Sequence, residues 1–303
     1  ARVTERDKDL AASAQKITEE VMLLIARHAK EITKANYLCV AGGVGLNCKA
    51  NGRLLREAGY KDVFFMPVAG DDGGSIGVAK YIWHSILGNK EQEGLKHLYY
   101  GPRYTDEEIE GYFKENQIEY KEYKGEELFK VAAKHVAANK IVGWFQGRME
   151  LGPRALGNRS ILANPCNPEM KDIVNKRVKH REEFRPFAPA VLKEKAKEYF
   201  ELDRDAPYMI YTTYVKQGKQ KEIPAVTHVD GTARPQTVDK EVNYRFYKVI
   251  EEFSKLTGVP VVLNTSFNVR GEPIVCTIED AYNCFKNTGI DVLIAGKCVV
   301  EKC

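Results

Sequence analysis

The sequence predicts an α/β protein in two parts, and three observations predict it. A strand, a glycine-rich turn and a helix follow one another twice within the first ~90 residues, the pattern of an α/β lobe. Residues 88 to 100 are then polar before switching to Tyr99-Tyr100-Gly101-Pro102, which marks a linker or domain boundary. Beyond it, apolar runs of strand length alternate with segments of helical spacing. At 303 residues the chain is long enough for about two domains.

In order along the chain, Leu10, Ile17, Val21, Leu24 and Ile25 recur at helical spacing, so a helix occupies the first ~35 residues. Tyr37 to Val40 reads as a short buried strand, Gly42-Gly43-Val44-Gly45 as its turn, and a helix runs on through Leu54 and Leu55. Val63 to Met66 is the second strand, followed by Gly70-Asp71-Asp72-Gly73-Gly74 and a helix to about Leu87. Thr105 is a good helix N-cap because Glu108 stands three residues on. Helices are expected over Glu126 to Ala138, Pro168 to about His180, Asn243 to Leu256 and Thr277 to Asn287. Strands are expected at Ile141 to Phe145, Met209 to Val215 and Val259 to Leu263, with Val292 to Ala295 as the last.

Hydrophobic residues at 44% and charged residues at 29% exclude a disordered chain. No run approaches the ~18 apolar residues of a membrane span, and no secretory signal opens the chain. A net charge of +4 favours a small anionic ligand and is too weak to argue for nucleic acid. The seven cysteines (39, 48, 166, 276, 284, 298 and 303) show no CxxC spacing, so neither a zinc site nor a disulfide frame is expected, and a reducing cytoplasm fits best. The chain opens at Ala1 without methionine, directly into helix-like sequence, and is expected to be a piece of something longer.

The strongest local signal is the run Gly147-Arg148-Met149-Glu150-Leu151-Gly152-Pro153-Arg154-Ala155-Leu156-Gly157-Asn158-Arg159-Ser160. Glycines let backbone N–H groups approach an anion, and guanidinium groups hold phosphate oxygens in pairs. The competing reading is a surface turn with solvated arginines. Between Gly147 and Arg185 nine Lys/Arg face five Asp/Glu, a mixture that a solvated helix face also carries. Arg181 and Arg185, however, flank Phe184 and lead into Pro186-Phe187-Ala188-Pro189, a stiff apolar segment, and arginine beside packed apolar surface calls for an anionic partner.

A third signal, Asn264-Thr265-Ser266-Phe267-Asn268-Val269-Arg270-Gly271, follows a strand, where short hydroxyl and amide side chains can bond a nucleotide or simply make a turn. A fourth is His228-Val229-Asp230-Gly231-Thr232-Ala233-Arg234, although a lone histidine is more often structural. In the first lobe Gly42 to Asn47 and Gly70 to Gly74 resemble ligand-facing turns. Asp71 and Asp72 could ligate a metal, or merely cap a helix. No local spacing assembles a complete metal site.

Together with Asn51-Gly52, these segments resemble, in order and over nearly the whole chain, the NodU/CmcH family of O-carbamoyltransferases; the Gly152 to Gly157 run is the most specific. The resemblance implies that residues 1–90 are the C-terminal part of an actin/Hsp70-like ATPase-fold lobe. It implies that residues 98–303 are a YrdC-like open α/β domain with a twisted sheet around a basic cavity. It matches Lys179-His180-Arg181 to the family's Lys-x-Arg signature and Ser266-Phe267-Asn268 to Ser-x-Asn.

The implied chemistry activates carbamoyl phosphate with ATP and Mg2+ to carbamoyl adenylate. The carbamoyl group then passes to the hydroxyl of a small-molecule acceptor at an Fe2+ or similar divalent site in the other domain. On residues and resemblance together, Lys179, Arg181, Arg154 and Arg234 are expected at the reacting anions, with His228 as a weaker positioning candidate. Arg148, Arg159, Arg185, Asn264, Ser266, Asn268, Gly42, Gly43 and Asn47 are expected to bind the nucleotide or its phosphates, and Asp71 to be the remaining metal ligand. The family's histidine ligands belong to a half not present here, so tight metal binding and completed transfer are not expected of this chain alone.

Half of a split domain would also expose core surface, so a homodimer is among the partners expected. Two rivals stand beside this reading. A threonylcarbamoyl-adenylate synthase of similar fold would need threonine and bicarbonate. A non-catalytic RNA- or nucleotide-binding module would want exposed aromatics among its basic residues, which are lacking.

Overall fold

The computed structural model describes residues 3–90 and 94–302. They fall into two compact units: residues 3–90 with 210–212, and residues 94–209 with 213–302.

The first unit opens with α1 (Glu5–Thr33), started by a reciprocal capping box between Thr4 and Asp7. It continues through β1 (Tyr37–Val40), α2 (Cys48–Glu57), β2 (Asp62–Phe65) and α3 (Gly74–Tyr81), which runs into one wider turn over Ile82–Ile86. Strands β1 and β2 pair in parallel as a two-stranded sheet. Helix α1 packs on α2 through Leu23 and Ala26, and Arg53 ties the two by pairing with Glu19 at 3.3 Å and Glu20 at 2.9 Å. Fully buried Asn51 donates to the carbonyls of Gly45 and Ile210, both at 2.7 Å. Gly52 lies so close to Thr212 that a Cβ would stand 2.5 Å from its carbonyl oxygen.

The apolar stripe of α1 is exposed, with Leu24 at 69% and Leu10, Ile17, Val21 and Ile25 likewise. One expectation fails in this unit: strand β1 is not buried, since Tyr37 is 67% exposed and, among the described residues, the strand has a neighbour on one side only.

The second unit runs α4 (Asp106–Glu115), β3 (Lys121–Glu122), α5 (Glu126–Ala137), β4 (Val142–Phe145), β5 (Arg159–Ala163) and α6 (Met170–Val174), the last extended by a wide turn over Asn175–Lys179. Then follow β6 (Ala188–Leu192), α7 (Ala196–Tyr199), β7 (Thr213–Tyr214), β8 (Thr232–Ala233), β9 (Gln236–Val238) and α8 (Tyr244–Thr257). The unit ends with β10 (Val261–Ser266), α9 (Ile278–Asn287), β11 (Val292–Ala295) and β12 (Cys298–Glu301). Thr105 caps α4 with Glu108 as expected, and β12 follows the strand that was expected to be last. The strand expected over Met209 to Val215 shrinks to Thr213–Tyr214, because Met209 takes a positive φ and Ile210–Thr212 belongs to the first unit.

Eight strands form one mixed sheet in the order β3-β12-β11-β4-β5-β10-β6-β9. Strands β4, β5, β6 and β11 are buried along their whole length, as strands covered on both faces must be. Helices α5 and α8 pack on each other and on the sheet, and α4 and α9 pack together beside β11 and β12. The protein is thus mixed α/β around one large sheet. No helix among the described residues is long and apolar enough to cross a membrane.

Candidate functional site

The sheet's register gathers the sequence signals at one edge of the second unit. Strands β4 and β10 both run antiparallel to β5, so their C-terminal ends share that edge. Strand β6 is antiparallel to β10 and parallel to β9, so β6 and β9 begin there. Five connections therefore converge: Gln146–Arg148 after β4, Arg154–Asn158 before β5, Ser266–Asn268 at the end of β10, Arg181–Phe187 before β6, and Arg234 before β9. Edges where strand ends and loops converge are where open α/β sheets bind ligands.

Lys179 stands at the centre of the clearest cluster. It is 3% exposed, and its Nζ donates to Asn268 Oδ1 at 2.8 Å, Asn268 O at 3.0 Å, Ser266 Oγ at 3.2 Å and the Ser266 carbonyl. Ser266 Oγ in turn donates to Asn268 Oδ1 at 2.7 Å. Segments 87 residues apart in sequence thus meet in one hydrogen-bonded knot. Burial, reinforced by the Arg181 charge, pushes the Lys179 amine down to about 7.

Two residues on, Arg181 donates from Nε to Asn175 Oδ1 at 2.7 Å and lays its guanidinium 4.7 Å over the Phe187 ring. Burial and the neighbouring Arg185 and Arg234 charges push Arg181 down to about 10, so three guanidinium groups lie close together. Arg185 pairs with Glu182 at 3.0 Å and is half exposed, and Phe184 between them is 69% exposed. Phe187 and Ala188 do supply the packed segment expected there.

The glycine-rich run behaves differently from its reading as a phosphate cradle. Buried Glu150 fills that role itself: its Oε1 accepts from the N–H of Leu156 and Asn158, both at 2.7 Å, and of Arg159 at 3.3 Å. Gly157 N–H is taken by Ser160 Oγ at 3.1 Å. The loop's carbonyls are held too. Asn264 Nδ2 donates to Ala155 O, Gln236 Nε2 to Leu156 O and Trp144 Nε1 to Gly157 O. Gly157 adopts φ +106° against the Phe246 ring, where a Cβ would come within 2.1 Å of Cδ1. No external anion can use these N–H groups.

Several other expected ligands are structural for the same kind of reason. Arg159 is fully buried, stacks 3.7 Å from the Phe145 ring, and donates to the carbonyls of Gln146 at 2.7 Å and Asn158 at 3.0 Å. Asn264 is buried and fastened to Ala155 and Gln236. In the first unit Asn47 caps α2 through Ala50 N–H and pairs with Gln15, so its side chain does not face a ligand. His228 bonds Thr232 across its own tight turn, through both the ring and the backbone. Gly42 and Gly43 remain exposed with open space around them, and Asp71 is exposed in its turn. Among the described residues no three His, Cys, Asp or Glu side chains cluster as a metal ion would need.

Two clefts open beside this edge. One, about 730 Å³, is lined by Met149, His180, Val269, Glu272 and Cys276; His180 directly follows Lys179. The other, about 750 Å³, brings Arg103, Arg148 and Arg245 together with Tyr100 and Tyr244. Arg103 and Arg245 had no sequence signal of their own, since each stands alone among neutral or acidic neighbours.

The second unit is a mixed α/β fold whose sheet edge is lined by lysine and arginine. Residues 1–80 match the family described as Carbamoyltransferase N-terminus, and residues 133–302 match Carbamoyltransferase C-terminus. The chain belongs to this carbamoyltransferase family. It is 46% identical to an uncharacterized protein of Synechocystis sp., over 99% of this chain and 53% of that one. It is 42% identical to the nodulation protein NolNO of Sinorhizobium fredii, over 99% of this chain and 45% of that one. The chain thus spans about half the length of the curated relatives it matches. A solved structure of full-length HypF in phosphate- and nucleotide-bound form aligns with 61% of this chain and 23% of its own, at 21% identity and a TM-score of 0.41, too slight a likeness to carry an argument.

Proposed function

We propose that the second unit activates carbamoyl phosphate with ATP, as one half-reaction of an O-carbamoyltransferase. Water would hydrolyse carbamoyl phosphate to carbamate and phosphate. The carbamate oxygen would then attack the α-phosphorus of ATP, releasing pyrophosphate and forming carbamoyl adenylate. Transfer to the hydroxyl of a small-molecule acceptor would follow elsewhere in the longer protein. The observation that carries this reading is the Lys179–Ser266–Asn268 knot beside Arg181 and its two arginine neighbours.

Fixed positive groups in a partly desolvated site stabilise charge as it develops on phosphoryl and carbamoyl oxygens. Arg181 and Arg234, which lie close together, are assigned to the reacting anions. Arg148 and Arg154 are assigned to the phosphate chain of ATP, and the tyrosines of the arginine-lined cleft provide aromatic surface for its ring. Mg2+ would accompany ATP.

The test is pyrophosphate release from ATP with and without carbamoyl phosphate, in this chain and in Arg181→Ala. Release that requires carbamoyl phosphate and falls at least 100-fold in the variant supports the reading, a loss of about 2.7 kcal/mol in transition-state stabilisation. Release driven instead by threonine and bicarbonate would replace it with the synthase reading. A folded, ATP-binding chain that releases nothing would sink it.

A further inference from the structure

The cleft of about 750 Å³ to which α8 contributes Tyr244 and Arg245 gathers positive charge that the Lys179 knot does not use. Arg103 and Arg148 stand opposite each other in an isolated antiparallel bridge, which sets their side chains side by side on one face. Like charges placed so destabilise the pair unless an anion joins them. Arg148 Nη1 donates to the Gly101 carbonyl at 3.2 Å. Arg245 Nη1 donates to Gln146 Oε1 at 2.5 Å, and Gln146 itself lines the cleft, so the Arg245 guanidinium is held at its wall. Arg245 stands 4.0 Å from Asp106, yet no Asp or Glu is among the described residues that line the cleft. The other cleft, beside His180, is lined by Glu272 and Asp280 and is the worse host for a multiply charged anion. Half-exposed Tyr100 and Tyr244 add aromatic surface, and Tyr244 is fixed by donating its hydroxyl to Glu126 at 2.8 Å.

We infer that this cleft is a polyphosphate subsite, in which Arg103, Arg148 and Arg245 hold the terminal phosphates of ATP and keep them as pyrophosphate leaves. The naming of ATP rests on the carbamoyl-phosphate reading above; the preference for a polyphosphate rests on the cleft itself. Guanidinium groups take phosphate oxygens in pairs. A diphosphate carries enough oxygens to engage all three arginines, whereas a lone phosphoryl group does not. As the carbamate oxygen bonds the α-phosphorus, the bond from that phosphorus to the oxygen bridging the β-phosphate breaks, and its electron pair departs with pyrophosphate. Fixed guanidinium groups at the β- and γ-phosphates answer the charge that develops there.

The experiment is calorimetric titration of this chain with inorganic pyrophosphate and, separately, with carbamoyl phosphate. The parent is expected to bind pyrophosphate, and Arg103→Ala and Arg245→Ala each to weaken that binding about tenfold, or about 1.4 kcal/mol. Carbamoyl phosphate, assigned to Arg181 and Arg234, should change by less than about twofold in both variants. Arg103 is exposed, so its replacement leaves the core intact and is the cleaner of the two. A parent chain that does not bind pyrophosphate, or an Arg103→Ala chain that binds it as the parent does, overturns the inference. Equal losses for both ligands overturn it too, because they would make the arginines a general anion trap. The two readings fail separately. Pyrophosphate binding that depends on Arg103, in a chain that does not bind carbamoyl phosphate, supports the subsite and sinks the proposed function. Carbamoyl phosphate binding without pyrophosphate binding sinks the subsite alone.

Discussion

Replacing Lys179 by methionine should flatten the pH dependence of stability between about pH 7 and pH 10. In the folded protein burial and Arg181 bring the amine down to about 7, whereas in the unfolded chain it keeps its proton to about 10.4. Between those values the unfolded state binds more protons, so the Lys179 contribution makes stability rise with pH, and it is fully expressed as a penalty below pH 7. At about 1.4 kcal/mol per pH unit the ceiling is about 5 kcal/mol. The four oxygens of Ser266 and Asn268 around Nζ favour the protonated amine and hold the true value below that ceiling. Chemical denaturation at pH 6, 7.5 and 9 of both proteins gives the difference directly, because other titrating groups are common to the pair. Methionine also leaves buried acceptors without their donor, a pH-independent cost of about 1–3 kcal/mol that shifts the variant's curve without tilting it. Parallel curves would refute the reasoning. They would mean that the knot holds a lysine with an ordinary proton affinity.

Gly157→Ala should cost about 3 kcal/mol or more, because the position needs φ +106° and the new methyl would strike the Phe246 ring; denaturation midpoints measure it, and Phe246→Leu in the same chain should recover part of the loss. Calorimetric titration of this chain with Fe2+ or Zn2+ should show no tight stoichiometric binding, and a tight 1:1 isotherm would overturn the reading of Asp71 as an isolated ligand. Leu24→Glu and Trp83→Glu should leave thermal stability within about 0.5 kcal/mol, since both side chains are more than half exposed. Light scattering should show less self-association in both variants if the apolar faces of α1 and α3 drive it.

The elements were legible where local chemistry decides them. The helical spacing of α1, α5, α8 and α9 and the Thr105–Glu108 capping box stand in the sequence as they stand in the fold. The strands β5, β6, β9 and β12 were not read. Strand β5 begins with Arg159 and Ser160, and β6 carries a proline and two alanines; such residues become strand only because the sheet on either side supplies partners. The burial of β1 was misread for a related reason. Periodicity likewise shows which face of α1 is apolar, but not whether anything covers it, and Leu10, Ile17 and Leu24 face outward. Lys179 and Ser266–Asn268 were visible as short patterns, whereas their meeting depends on the crossing from α6 to the end of β10, a long-range property. Glu150 was passed over because an acidic residue amid arginines reads as a surface counter-charge. Its part depends on a loop closing back over it.

The arginines at the sheet edge divide by what the chain itself gives them. Arg159 turns both terminal nitrogens to backbone carbonyls, Arg185 has Glu182, and Arg245 bonds Gln146 and Gly296 while standing 4.0 Å from Asp106. Arg181, by contrast, bonds an amide oxygen at 2.7 Å and a carbonyl at 3.3 Å, and Arg185 and Arg234 add like charge beside it that Glu182 opposes. Like charges gathered in a partly desolvated site destabilise the folded chain unless an anion answers them. The internal anion of the neighbouring loop, Glu150, is already committed to three N–H groups and lies too deep to answer. Scaffold and site are thus separated by electrostatics: one carboxylate and one arginine are buried to build the loop, while like charge gathers at Arg181, Arg185 and Arg234, the place at which the proposed function sets its anionic substrate.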